Sequence, residues 1–301
     1  MKINKIRPLE SDFTEVLKML VLNAEMLYYY GKLPKKCPTV AIVGSRKNTS
    51  YGYEVAYNAA YAAAKAGAVV VSGLAYGVDS IAHRGALDAG GVTVAVLGTP
   101  IDRVYPKGHA RLAREIAEKG GAVLSEYGPG ENPRGGREAA ARFLERNRLI
   151  AGLSDVVLVA EAADRSGSLN TATHALNQGK ELMVAPGDIN RESSRGCNKL
   201  LAQGAQPYTC IDDLIEALFP VKKKQGSGDD EIKKRLERLG PRLETEMERK
   251  IVALIMTGVK DGEQIIKNLA ISVAEFNQTI TILEIKGVVK GLGMNRWMVN
   301  G

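Results

Sequence analysis

The stretch Ala68–Leu87, AVVVSGLAYGVDSIAHRGAL, decides the fold. Its run Val69–Ser72 is β-branched and almost wholly apolar, the pattern of a strand buried on both faces. Gly73 and Gly77 bracket a tight turn, and Val78–Ala89 has helical length. Strand, glycine turn and helix form the unit of a doubly wound α/β sheet. The unit recurs on both sides. Further strands are expected at Val40–Val43, Thr93–Leu97, Ala122–Ser125, Val156–Ala160 and Leu182–Ala185. Helices are expected at Tyr51–Ala66, His109–Glu118, Glu138–Leu153 and Leu169–Asn177, closed by Ser194–Gln203 and Ile211–Leu218. The fold class is therefore α/β, with a parallel, doubly wound sheet over residues 38–219.

Outside that region the pattern changes. Leu17, Leu20, Val21, Ala24 and Leu27 follow a helical stripe, so residues 1–37 read as a short helical lead-in. Residues 220–240, opening PVKKKQGSGDD, read as a linker rich in charge, Gly and Ser. Residues 241–301 then offer helices at Glu246–Met256 and Gly262–Leu269, and a third from Ser272 to Lys286 with Glu275 completing a capping box. Gly287–Lys290 and Trp297–Val299 read as a hairpin, which gives the order of a small winged-helix domain.

Composition narrows the function. The chain has 301 residues, 45% of them hydrophobic, which excludes a mainly disordered protein. Cys37, Cys197 and Cys210 are too far apart for a CxxC metal site or a disulfide framework and fit a reducing compartment. Met1–Glu10 is polar, unlike a signal peptide. No apolar run approaches the ~20 residues that span a bilayer. A cytoplasmic protein with no membrane role is expected. The net charge of +7 hints at a polyanion partner, but residues 221–240 alone hold seven Lys and Arg against four acidic residues.

Ligands of open α/β sheets meet the carboxyl ends of the strands, so the loops there hold the candidates. Gly44-Ser45-Arg46 is neither GxGxxG nor a P-loop, which removes the usual support for a nucleotide cofactor. Ser45 and Arg46 could hold a phosphate, or form an ordinary turn. Asp79 and His83, at i and i+4, could be an acid–base pair or a structural hydrogen bond fixing the turn. His109 and His174 stand alone, so no metal is expected. The loop after the third strand of this series brings Arg103 and Lys107. Arg134, Arg137, Arg142, Arg146 and Arg148 crowd one segment against Glu138 and Glu145. Arg142 and Arg146 share a helical face, with Phe143 one step around. Guanidinium groups hold phosphates, and a ring stacks a base at ~1–3 kcal/mol. The same residues could equally be solvated Arg–Glu pairs around a core phenylalanine. Ser166-Gly167-Ser168 opens a helix and reads as an anion site or as a plain cap.

Taken in order, VAIVGSR, SGLAYGVDSIAHRGAL, LGTPIDRVYP, LSEYGPG, RNRLIAGLS, RSGSLNTATHAL and GCNKLLAQGA resemble the DprA/Smf family, DNA processing protein A. The resemblance runs from about Gly31 to Phe219, and the winged-helix-like tail fits it. It implies an extended Rossmann-like domain that binds single-stranded DNA, acts as a homodimer and helps load RecA recombinase in natural transformation and recombination. No catalytic residue, cofactor or metal is implied. The DNA-binding set is Ser45, Arg46, Lys107, Arg142, Phe143, Arg146, Arg148, Ser166, Gly167 and Ser168. Residues 1–37 are too short for the helical domain with which members usually begin. The customary FPxRNR is FLERNR here, placing Glu145 beside the pocket, and His109 stands where YPxxN has Asn. The alternative function is a nucleotide-acting hydrolase of the phosphoribohydrolase, lysine-decarboxylase-like Rossmann type. Its GGxGTxxE carries a carboxylate where this chain has His174. A third reading, a duplex-reading winged-helix factor, finds only Lys286, Asn277 and Gln278 on the third tail helix.

Overall fold

Alternate residues of each central strand face opposite cores. Ala41, Val43, Val69, Val71, Val157 and Val159 pack on one side of the sheet. Val40, Ile42, Val70, Val156 and Leu158 pack on the other. Both faces are therefore dry, which explains strands that read as unbroken apolar runs. The computed structural model describes residues 2–19, 24–220, 242–257, 261–293 and 295–299, with Leu236, Leu239 and Val259. Two compact units divide the chain, Met1–Pro220 and Val221–Gly301.

In the first unit the strands are β1 (Asn4–Ile6), β2 (Leu27–Gly31), β3 (Thr39–Gly44), β4 (Val69–Ser72), β5 (Thr93–Leu97), β6 (Ala122–Ser125), β7 (Val156–Glu161), β8 (Glu181–Val184) and β9 (Gln206–Pro207). The helices are α1 (Ser50–Lys65), α2 (Val78–Asp88), α3 (Ala110–Glu118), α4 (Gly136–Gly152), α5 (Ser168–Asn177), α6 (Glu192–Ala202) and α7 (Ile211–Leu218). The sheet order is β1-β2-β6-β5-β4-β3-β7-β8-β9. From β6 to β9 every pairing is parallel. The chain winds outward from β3 through β4, β5 and β6, then returns to place β7 on the other side of β3. The order thus reverses between β3 and β7, the position where such sheets bind ligands.

Small residues set the close packing of α1 on α2. Ala56, Ala59, Ala60 and Ala63 are buried there, and a Cβ at Gly85 would sit 2.6 Å from the Tyr57 carbonyl oxygen.

The helical lead-in is a correction. Leu17 lies in a 3-10 turn, Glu15–Met19, and Leu27 opens β2. β2 pairs antiparallel with both β1 and β6, so the segment extends the sheet. Leu17, Ala24 and Leu27 are buried in the same core as the central strands. Their shared burial, rather than a helix, accounts for the apolar spacing. Leu20 and Val21 lie outside the described residues, as does most of the expected linker 220–240.

In the second unit α8 (Glu246–Met256), α9 (Gly262–Leu269) and α10 (Val273–Ile285) precede a hairpin of β10 (Val289–Gly293) and β11 (Arg296–Val299). Ser272 caps α10 by accepting from the Glu275 N–H at 3.1 Å. Phe276, Ile280 and Leu283 of α10 bury against Ile251 and Ile255 of α8. Among the described residues, no helix is long and apolar enough to cross a membrane.

Candidate functional site

A groove of about 750 Å³ opens at the switch point, between the loop after β3 and the loop after β7. Ser45, Arg46 and Lys47 form one wall, Arg165, Ser166, Gly167 and Ser168 another, and Phe143, Arg146 and Asn147 of α4 a third. Seven of the ten expected site residues are thus brought together.

Two buried carboxylates shape these walls. Glu161, the last residue of β7, accepts from the Thr49 N–H and the Thr49 hydroxyl, each at 2.8 Å. A Cβ at Gly52 would come within 2.9 Å of the Glu161 carboxyl carbon, so the start of α1 can close over it only with glycine. Asp79 accepts from the Gly73 and Ala75 N–H groups at 3.1 and 3.4 Å. This fixes the turn between β4 and α2. That turn in turn supports Arg46: Val78 donates to the Ser45 carbonyl at 3.1 Å, and Gly77 (φ +76°) packs directly on the Ser45 and Arg46 carbonyls.

Asp79 and His83 do not bond each other, which corrects the expected pair. Thr93 donates its hydroxyl proton to the Val70 carbonyl, so His83 Nδ1 is the donor to Thr93 Oγ1 at 2.7 Å. His83 Nε2 is buried without a partner. Burial therefore holds the imidazole neutral, with its pKa pulled down to about 3.

Arg146 is the least exposed cation of the groove, at 4%. It donates to the carbonyls of Gly73, at 2.9 Å, and Val96, and its Nε reaches Asn147 Oδ1 at 3.3 Å. Burial lowers its pKa to about 10, opposed by the charge of Asp79. Burial raises Asp79 in turn, opposed chiefly by Arg146. A Cβ at Gly73 would meet the guanidinium at 2.5–2.7 Å. Arg146 thus pins α4 to the ends of β4 and β5. Asn147 extends the brace, donating to Asn170 Oδ1 at 3.1 Å and the Gly167 carbonyl at 3.4 Å. The two serine hydroxyls of the Ser166–Ser168 loop share a 2.7 Å bond. The Leu169 and Asn170 N–H groups close back on Ser166 and Gly167, so fewer donors are open there than the motif suggested.

Arg46, Lys47 and Arg165 differ from Arg146. All three are exposed, and none makes an ion pair among the described residues. Asp164 and Glu192 are the exposed carboxylates on the same rim. Sequence reasoning left Lys47, Arg165 and Glu161 out of the DNA-binding set. Each sits one step from a segment it singled out, and Glu161 is legible as a carboxylate ending an apolar strand.

Residues 4–219 match the family described as DNA recombination-mediator protein A. The chain belongs to that family. It is 44% identical over 179 residues to Protein Smf of Escherichia coli, a match covering 60% of this chain and 46% of that protein. The X-ray structure of DNA processing protein A from Streptococcus pneumoniae aligns with TM-score 0.63 and 38% identity, covering 71% of this chain and 74% of that one. DNA processing protein A from Helicobacter pylori, whose structure is described as showing a unique single-stranded DNA binding mode, aligns with TM-score 0.63 and 33% identity over 73% of this chain and 97% of that one. The matched stretch spans less than half of the Escherichia coli protein.

In this family member three of the expected DNA-binding residues stand outside the groove. Arg142 binds Glu138 at 2.7 Å and the Glu131 carbonyl at 2.6 Å, and its guanidinium carbon lies 4.1 Å from the centre of the Tyr127 ring. Arg148 pairs with Glu126, both side chains being largely buried. Residues 146 and 148 are about 200° apart around a helix, so both cannot face one groove. Arg142 and Arg146 lie closer around α4, but Arg146 turns into the sheet ends and Arg142 onto the preceding loop. Lys107 is exposed in the 3-10 turn Lys107–His109, beyond the groove wall. Glu145 does not line the groove; it accepts from the Tyr127 hydroxyl at 3.2 Å.

Proposed function

We propose that the chain binds single-stranded DNA along the groove between β3 and β7, without catalysing a reaction. The supporting observation is the placement of three uncommitted cations, Arg46, Lys47 and Arg165, on facing loops of one groove. Phosphates lie against these cations and the Ser45, Ser166 and Ser168 hydroxyls. Phe143 offers a ring for a base. Arg146, Arg142 and Arg148 hold the walls in place rather than the strand. Few groups are placed to read base edges, so sequence preference is weak. The Helicobacter pylori relative, described as binding single-stranded DNA, supports the same reading.

As a recombination mediator the chain protects incoming DNA and helps load RecA in natural transformation and recombination. It acts in the cytoplasm as a homodimer, whose two grooves raise avidity on a long strand. The second unit is a winged-helix module for protein contact. No cofactor is required, and AMP is not hydrolysed. A gel shift comparing single-stranded and duplex oligonucleotides at two salt concentrations tests this. Preferential, salt-sensitive retardation of the single strand is expected. Equal or stronger duplex binding overturns the proposal, as does release of adenine from AMP.

A further inference from the structure

Past Arg46 the groove continues into a smaller hollow of about 30 Å³, bordered by Tyr76, Tyr105, Pro106 and Phe143. Three aromatic rings from three separate segments therefore border one hollow together with the exposed Arg46 and the buried Arg146: Tyr76 after β4, Tyr105 after β5 and Phe143 from α4. Tyr76 and Tyr105 are each about half exposed, at 53% and 52%. Each nevertheless packs against one further ring. The Tyr105 ring lies 5.4 Å from Phe143, tilted by 52°. Phe143 is backed by Gly98, where a Cβ would lie 2.8 Å from its ring. Tyr76 packs edge-on against His109 at 4.7 Å, and His109 is anchored to the Leu74 carbonyl at 2.8 Å.

Neither tyrosine serves the core, and neither hydroxyl hydrogen-bonds within the protein among the described residues. Exposed aromatic faces beside an unpaired guanidinium are what a single strand needs: the cation takes a phosphate and the rings take the adjoining bases. The hollow is smaller than a base, so a base lies across its rim rather than inside it.

We propose that Tyr76 and Tyr105 are base-stacking residues that continue the single-strand site beyond Phe143. This rests on the single-strand reading above. Stacking uses the ring face that every base presents, so the contact tolerates any sequence.

The test compares a thymidine strand of about ten nucleotides with an abasic phosphodiester strand of the same length, within the usual span of such sites. Fluorescence anisotropy gives both affinities for the wild type, Tyr76→Ala, Tyr105→Ala and Tyr105→Phe. Tyr53→Ala, an exposed tyrosine on α1 away from the groove, is the control. Each groove alanine variant is expected to weaken thymidine-strand binding by roughly 5- to 10-fold. It should leave abasic-strand binding and the melting temperature unchanged, and Tyr105→Phe should bind like the wild type. Equal losses on both strands, no loss on either, or an equal loss in Tyr53→Ala would overturn the stacking proposal while single-strand binding stands. Wild-type protein that binds neither strand would overturn the single-strand reading itself, and the stacking proposal with it.

Discussion

Arg146→Ala should weaken the fold before it removes any phosphate contact. Arg146 is only 4% exposed, and its guanidinium supplies donors to the Gly73 and Val96 carbonyls. Alanine leaves both without that donor, at about 1–3 kcal/mol for each buried group left unsatisfied. It also strips Asp79 of its main compensating charge, and leaving a buried charge uncompensated typically costs about 3–5 kcal/mol. These costs overlap, so about 3–5 kcal/mol is the expected total. For a unit of this size that lowers the melting temperature by roughly 6–20 °C. The loss should depend on pH. Burial already raises the Asp79 pKa above 3.8, and losing Arg146 raises it further. A carboxyl with a raised native pKa keeps a proton in the fold that the unfolded chain has released. Its contribution to stability therefore falls as pH rises through that window. The destabilisation should be smaller near pH 4 than at pH 7. Calorimetry of wild type and variant at both values measures it. An unchanged melting temperature at pH 7, with single-strand affinity abolished, would refute the reasoning and make Arg146 a direct phosphate ligand.

Gly77→Ala places a Cβ against the Ser45 and Arg46 carbonyls at a φ of +76°. It should cost about 2–5 kcal/mol, read as a lower urea midpoint. His83, with its pKa lowered from 6.5 to about 3, is neutral in the fold where the unfolded chain is protonated. Stability should therefore fall with acidification below pH 6.5 by about 1.4 kcal/mol per pH unit. His83→Asn should remove about one proton from the slope of unfolding free energy between pH 6 and 4; an unchanged slope counts against a buried neutral imidazole. Arg148→Ala should destabilise the first unit by up to about 3 kcal/mol through Glu126. It should leave the salt dependence of single-strand binding as it is, checked by urea unfolding alongside an anisotropy titration.

The central strands were legible because a parallel sheet covered on both faces requires unbroken apolar runs, and Val69–Val71 or Val156–Val159 can satisfy little else. β2 was not. Tyr28–Tyr30 has strand-like residues, but its antiparallel place beside β6 depends on a pairing distant in sequence. That the site lies at the carboxyl ends of the strands followed from the parallel sheet, and Ser45, Arg46, Phe143 and the Ser166–Ser168 loop could be placed from their neighbours, whereas the strand order that puts the groove between β3 and β7 is seen only in the structure. The arginines of α4 could not. Whether Arg146 meets a phosphate or the Val96 carbonyl depends on how α4 rotates onto the sheet, which spacing alone leaves open. Glu126, which occupies Arg148, and the Glu131 carbonyl, which takes Arg142 alongside the nearby Glu138, lie well upstream of them in the chain. Charge density in the sequence marked the helix that builds the wall, while the uncommitted cations sit on the sparser loops.

The most direct test is the salt dependence of single-strand affinity in the wild type and in Arg46→Ala. A strand held by phosphates gives a linear fall of log K with log salt, with a slope of about −0.7 for each phosphate neutralised. Removing Arg46 should weaken binding and make that slope shallower by about 0.7. A flat wild-type plot, or an Arg46→Ala slope equal to the wild type, would contradict a phosphate site built around Arg46.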